Sequence, residues 1–234
     1  MCTRFYILDG DPEIKEMLEE ARSSRLTGRF RQQNMGEIRV GGEVRPTNIV
    51  PVLAPDRRGE TAVFPMKWGF TLPARTDPRR IRTGETGTAS AGGTDGTRPR
   101  GTLLVNARVE TAAQKVTFRD AWLRHRCVIP ASRYFEWDHF TDEKGRKKTG
   151  TKYAISVPAE NITWLCGLYR IENGLPVFVV LTRRPGEALA RIHDRMPLIL
   201  PKSLIGEWMN PGTPAGALED LIGQSLTGLD IVPA

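Results

Sequence analysis

Between Arg126 and Thr182 the chain reads as consecutive strand-like segments, at 126–130, 133–138, 152–157, 163–169 and 176–182, with no helical stretch between them. Each is rich in β-branched or aromatic residues, and polar or turn-forming residues separate them. Parallel neighbours need a crossover of about a dozen residues or more, usually a helix. Most gaps here are far shorter, and the longest contains the polar stretch 141–150, which reads as a hairpin loop. Antiparallel pairing follows. Two earlier β-prone runs, 49–53 and 61–70, carry Pro51 and Pro65, which argue for sheet edges or bends. The expected class is therefore α+β: a mainly antiparallel or mixed sheet, curled toward a barrel, with helices at its periphery.

The helices are short. Residues 11–22 form an amphipathic pattern in which Asp11 can cap, Pro12 suits the first turn, and Ile14, Met17, Leu18 and Ala21 share a face. Further helical turns are expected over 118–123, 186–193, 202–209 and 215–225, a short strand at 197–200, and a buried strand at Leu103-Leu104-Val105. Residues 82–101 are almost all Gly, Thr, Ser, Ala, Pro and Arg and cannot bury enough surface to order themselves. They read as a flexible low-complexity loop inside a single domain spanning 1–234.

The net charge of +7 and pI near 9.6 point to a polyanionic partner, or to a solvated surface with modest excess charge. Basic residues run from Arg4 to Lys202, as expected of a folded surface rather than a basic tail. No run approaches the ~18 apolar residues of a membrane helix, and residues 1–6 lack a secretory layout. The first residues are thus expected in the mature protein. Cys2, Cys127 and Cys166 have neither metal-ligand spacing nor a disulfide framework. The latter two, flanked by strand formers, read as buried small hydrophobes. A reducing cytoplasm is the expected compartment. No metal or cofactor is expected, and nothing demands more than a monomer.

Cys2 stands out chemically. Removal of Met1 would leave an α-amine and a thiol on adjacent carbons, able to form a Schiff base with an aldehyde and then close a thiazolidine ring. Near pH 7.4 roughly a quarter of α-amines are neutral, against roughly one lysine in a thousand. Arg4 is expected to lower the pKa of both groups further. Alone, Cys2 also reads as an ordinary second residue. Three other segments add to it. Asn106 and Arg108, two apart after a strand, fall on one face of an extended chain. Glu136 lies among Tyr134, Phe135 and Trp137, where a carboxyl tends to have a raised pKa, though a solvent-facing strand end is the plainer reading. His193, before Arg195-Met196-Pro197, is suited to acid–base work or to a structural role. His125 and His139, in very polar surroundings, receive no role.

With these segments in order, the sequence resembles the SOS-response-associated peptidase (SRAP) family of abasic-site-processing proteins. The matching text is Met1-Cys2 with Arg4, Arg45-Pro46-Thr47, Lys67-Trp68-Gly69-Phe70, Asn106 to Thr111, Phe118-Arg119, Arg126 to Pro130, Phe135-Glu136-Trp137 and His193 to Pro197. The resemblance implies a basic groove for single-stranded DNA and a covalent thiazolidine between Cys2 and the ring-opened sugar of an abasic site. On this sequence it implies that Asn106 positions the cysteine and the sugar. Glu136 would handle protons, and His193 would help open the sugar ring. Arg4, Arg108 and Arg195 would hold phosphates; Pro46, Trp68 and Trp137 would pack on or between bases. Bacterial-type use at the nucleoid is implied too. Two other readings stand beside covalent capture: an N-terminal-nucleophile cysteine (auto)peptidase with Glu136 or His193 as base, and a noncovalent single-strand binder.

Overall fold

The computed structural model describes residues 2–72 and 102–234; the loop expected at 82–101 lies outside them. In chain order the elements are β1 (Phe5–Ile7), α1 (Pro12–Ser23), α2 (Arg25–Gln32), β2 (Gly42–Val44), β3 (Ile49–Pro55), β4 (Thr61–Trp68), β5 (Phe70–Thr71), β6 (Leu103–Leu104), β7 (Asn106–Arg108), α3 (Val109–Ala112), α4 (Val116–Arg124), β8 (Arg126–Ala131), β9 (Arg133–Thr141), β10 (Lys147–Ser156), β11 (Thr163–Glu172), β12 (Leu175–Arg183), α5 (Glu187–Ala190), β13 (Met196–Pro197), α6 (Ile205–Met209), α7 (Ala215–Gly223) and β14 (Asp230–Pro233).

Five strands close on themselves. The order β11-β8-β3-β4-β12 is completed by a β11–β12 pairing, giving a closed five-stranded barrel. Its pairings are antiparallel except β4–β12, which is parallel. Closure explains the sequence pattern. Every residue of β8 is buried, and all of β12 up to Arg183, because one face fills the barrel and the other is covered. Gly167 allows β8, β11 and β12 to approach: a Cβ there would lie 2.7 Å from Ile129 Cδ1 and from the Val179 carbonyl oxygen.

Pro51 and Pro65 do not lie on edge strands; they sit opposite each other inside the barrel wall. In an antiparallel pair, facing residues alternate between bonded and non-bonded positions. Two facing prolines fit a non-bonded position, where each missing N–H would have pointed to the next strand over. There, β3 meets β8 only at Leu53–Val128, and β4 meets β12 only from Lys67 onward.

A second, five-stranded sheet, β14-β10-β9-β1-β2, carries the chain's beginning onto the barrel. The expected hairpin loop at 141–150 is shorter than read. Asp142 Oδ1 accepts from the N–H groups of Lys144 and Arg146, so β9 runs to Thr141 and β10 restarts at Lys147. Helix α1 matches expectation: Asp11 caps Glu13 and Ile14, and the four apolar residues are buried. Helix α2, which the apolar pattern did not reveal, buries Phe30 alone. The turn at 186–193 is helical only over Glu187–Ala190, and the strand expected at 197–200 reduces to Met196–Pro197 plus a bridge at Ile199. Leu103, expected to be buried, is 38% exposed on the two-stranded β5–β6 ribbon. Cys127 and Cys166 are buried and free, as expected. Among the described residues no helix is long and apolar enough to cross a membrane.

Candidate active site

Strand pairing delivers the residues around Cys2. Strand β1 pairs antiparallel with β9, setting Phe5 opposite Tyr134 and Tyr6 opposite Arg133. The Phe135 N–H donates to the Arg4 carbonyl at 2.9 Å, which continues the ladder toward Glu136. From the other side, β7 lies parallel to β12, with Asn106 beside Val180 and Arg108 beside Thr182. Ala107 is buried and Arg108 exposed, as alternation along an extended segment requires. Asn106 Nδ2 donates to the Cys2 carbonyl at 2.8 Å. Two sheets thus converge on residue 2.

Cys2 is fully buried, and its thiol donates to the Arg4 carbonyl at 3.7 Å. Burial pushes this thiol well above the ordinary value, and the Glu136 charge adds to the rise. The expected lowering by Arg4 is therefore corrected: the Arg4 guanidinium turns to Glu43 at 3.1 Å, and desolvation dominates the thiol. Glu136, 3% exposed, is held up to about 7 by burial, with the Asp194 carboxylate acting in the same direction. Glu136 is therefore buried and not a solvent-facing strand end, but of the three aromatics read around it only Tyr134 shares its face of β9, while Phe135 and Trp137 hold Lys152. A carboxyl balanced near neutrality can take and return a proton.

His193 is half-buried, and burial holds its imidazole below the ordinary value, with His139 acting in the same sense and Asp194 against it. Nδ1 accepts from the Arg195 N–H at 3.0 Å while lying 2.9 Å from Asp194 Oδ1. The two contacts exclude each other. The first needs a bare Nδ1, leaving hydrogen on Nε2; the second needs hydrogen on Nδ1, in the other neutral tautomer or the charged ring. The lowered pKa favours a neutral ring in either case.

The remaining predicted residues divide. Arg108 is exposed, and Pro46 and Trp137 are half-buried at the surface. Trp137 and Phe135 hold the Lys152 ammonium at 5.6 and 3.8 Å from their ring centroids. Arg4, Arg45 and Lys152 all contact the single carboxylate of Glu43. That cluster keeps a surplus of positive charge on the outer sheet. Trp68, by contrast, is a core residue, 0% exposed between Phe5 and Phe178, with its indole N–H on the Val105 carbonyl. Arg195 is 8% exposed and committed to Glu110 through two bonds of 2.8 and 2.7 Å and to the Thr182 carbonyl at 2.6 Å. Neither is available in this conformation to a base or phosphate.

Two neighbours received no chemical role from the sequence. His139 packs against His193 with ring centroids 6.2 Å apart, and no local pattern announced it. Tyr134 is fully buried, and period-two spacing from Glu136 places both on one face of β9. That signal was legible. A cleft of about 440 Å³ bordered by Leu26, Phe64, Met66 and Tyr169 includes none of these groups. The reactive side chains gather instead around Cys2. No cluster of potential metal ligands occurs among the described residues.

The family model described as SOS response associated peptidase (SRAP) matches residues 1–233. The chain belongs to the SRAP family. Among relatives, it is 35% identical over 116 residues to the abasic site processing protein YoqW of Bacillus subtilis (strain 168), covering 47% of this chain and 50% of that protein. It is 33% identical over 113 residues to the abasic site processing protein YedK of Escherichia coli (strain K12), covering 45% and 47%. The chain spans about half the length of the curated relatives it matches. Its fold is shared with a solved protein from Bacteroides thetaiotaomicron, at TM-score 0.64 and 20% identity over 99% of this chain and 91% of that one. A phage-related protein from Bordetella bronchiseptica gives 0.63 and 19% over 100% and 94%. At such identities the likeness of this SRAP chain to solved structures concerns fold alone.

Proposed function

We propose that this SRAP chain processes abasic sites by capturing them covalently in single-stranded DNA through Cys2, once Met1 has been removed. The observation that carries the reading is the meeting of Cys2, Asn106 and Glu136: a buried cysteine anchored by an amide, beside a carboxyl poised near pH 7. The family and the names of its relatives support abasic-site chemistry.

The steps balance as follows. The free α-amine of Cys2 adds to the C1′ aldehyde of the ring-opened sugar, and the carbinolamine loses water to give an imine. The thiol sulfur then adds to C1′, and its proton ends on the imine nitrogen, closing a thiazolidine. Glu136 ferries the protons, and His193, neutral through burial, assists opening of the sugar ring. Asn106 fixes the Cys2 backbone so that amine and thiol reach one carbon. Arg4, Arg108 and Lys152 offer positive charge, with Trp137 and Pro46 as apolar surface for neighbouring bases. No base contact is needed at a site that lacks a base.

The test is a denaturing gel of protein mixed with single-stranded DNA carrying one abasic site. A shifted band that survives boiling in detergent and disappears in Cys2→Ala is expected. Tight, salt-sensitive binding without a shift would instead identify a noncovalent binder. A second reading has its own support. The same carboxyl beside the Cys2 thiol suits an N-terminal-nucleophile peptidase that removes Met1. Intact-mass measurement of Glu136→Gln distinguishes it: retained Met1 in that variant alone supports autoprocessing.

A further inference from the structure

Two polar atoms at this site are left without hydrogen-bond partners in its interior. Asn106 uses Nδ2 on the Cys2 carbonyl, yet its Oδ1 is buried with no partner among the described residues. The Tyr134 hydroxyl is likewise buried and unpartnered, on a residue that is 0% exposed. A buried hydroxyl with no partner is costly, whereas phenylalanine would fill the same space without that cost. Tyr134 is fixed by its register against Phe5 and shares a face of β9 with Glu136. The Cys2 and Glu136 groups, between which a proton must move, both act electrostatically on this phenol. Burial also keeps the phenol protonated, since its ionisation is pushed far upward. It is therefore a permanent donor.

We propose that the Tyr134 hydroxyl is a further catalytic group, donating a hydrogen bond to the Cys2 sulfur as that sulfur gives up its proton and attacks carbon. This rests on the capture reading and deepens it. During ring closure the thiol proton passes to the Glu136 carboxylate and from there to the imine nitrogen, while the carbon–sulfur bond forms. The phenol keeps its own proton throughout. In the resting site no charged sulfur exists to receive the bond, which explains the orphaned hydroxyl.

The experiment compares wild type with Tyr134→Phe, the isosteric change that removes only the oxygen. Adduct formation at saturating abasic single-stranded DNA is expected to slow by about 10- to 100-fold, the range for losing one charge-assisted hydrogen bond. DNA affinity should stay unchanged and the thermal midpoint should hold or rise, because an unsatisfied group has gone. Equal adduct rates across pH 6–9 (about the working range of thiol and amine) would overturn the proposal. So would a rate loss matched by an equal loss of affinity or a lower thermal midpoint. If wild type forms no adduct, the capture reading itself fails, and alkylation of Cys2 decides the tyrosine separately. With the Cys2 peptide followed by mass spectrometry, a higher-pH midpoint in Tyr134→Phe supports the donor role; identical midpoints remove it.

Discussion

Two corners of this molecule bury ionisable groups and treat them in opposite ways. At one, Arg126 is 1% exposed and its guanidinium donates only to carbonyl oxygens, those of Trp122 and Leu123 at the end of α4, Trp208 in α6 and Asn210 just beyond α6, while lying over the Trp208 ring. The exposed carbonyls of two helix ends supply the negative end of each dipole, so a cation is stabilised there with no carboxylate nearby. Its donors are consumed. At the other corner, Cys2, Glu136, Tyr134 and Asn106 are also withdrawn from water, but burial raises the acid and the thiol, and the phenol and amide oxygens lack partners. Saturated buried groups hold a fold; unsaturated ones cost stability. The SRAP motifs contain both kinds, and only the bonding pattern separates Arg126 from Asn106.

That contrast can be broken at either corner. The largest effect is expected from Arg126→Met, which strands the helix-end carbonyls. Stability should fall by about 3–5 kcal/mol, read by urea unfolding. Adduct formation by the molecules that remain folded should be nearly unchanged; a selective loss of chemistry would move Arg126 into the site. Next comes Glu136→Gln, expected to slow adduct formation by about 100-fold, measured in single-turnover gels. Normal rates in both directions would remove Glu136 from the mechanism.

The same carboxyl sharpens the comparison through pH. Its folded pKa of about 7 stands above the ordinary 4.5, so the folded state binds more protons than the unfolded one between those values. Its contribution is full below pH 4.5 and is lost as pH rises through 7, with a slope of at most about 1.4 kcal/mol per pH unit. His193, lowered from its ordinary 6.5, tilts the other way, destabilising the fold as pH falls. The difference in stability between wild type and Glu136→Gln, followed by denaturation from pH 4.5 to 8, isolates the carboxyl: the variant should gain on wild type as pH rises. A flat difference would mean Glu136 ionises at its ordinary pH. The smallest effect is expected from Glu43→Gln, which releases Arg4, Arg45 and Lys152 from their shared carboxylate. Single-strand affinity should rise a few-fold, and more at low salt, by filter binding. Weaker binding would show that Glu43 orders these cations for DNA.

Much of the fold was legible. Runs of β-branched and aromatic residues between turn signals located the strands of the barrel and the long hairpin, and Asp11-Pro12 with its apolar face located α1, because those features depend on neighbours in sequence. Helix α2 was missed because a helix that buries one aromatic carries little periodic signal. At the site, Cys2, Asn106 and Glu136 were identified from chemistry and family resemblance, and the structure brings them together. Arg195 and Trp68 read as surface groups, yet both are packed inside by partners remote in sequence, Glu110 at one and Phe178 at the other. His139 became a neighbour of His193 only through folding.

The sequence by itself determined the antiparallel character of the sheet, the placement of a cysteine at position two and the residue types able to move a proton. Pairing β1 with β9 and β7 with β12 was a tertiary decision, and it brought distant segments together around Cys2. Whether a given side chain serves the core or the chemistry was decided there too. Desolvation and hydrogen-bond partners come from residues far along the chain, and these fix the ionisation of Glu136 and the commitment of Arg195.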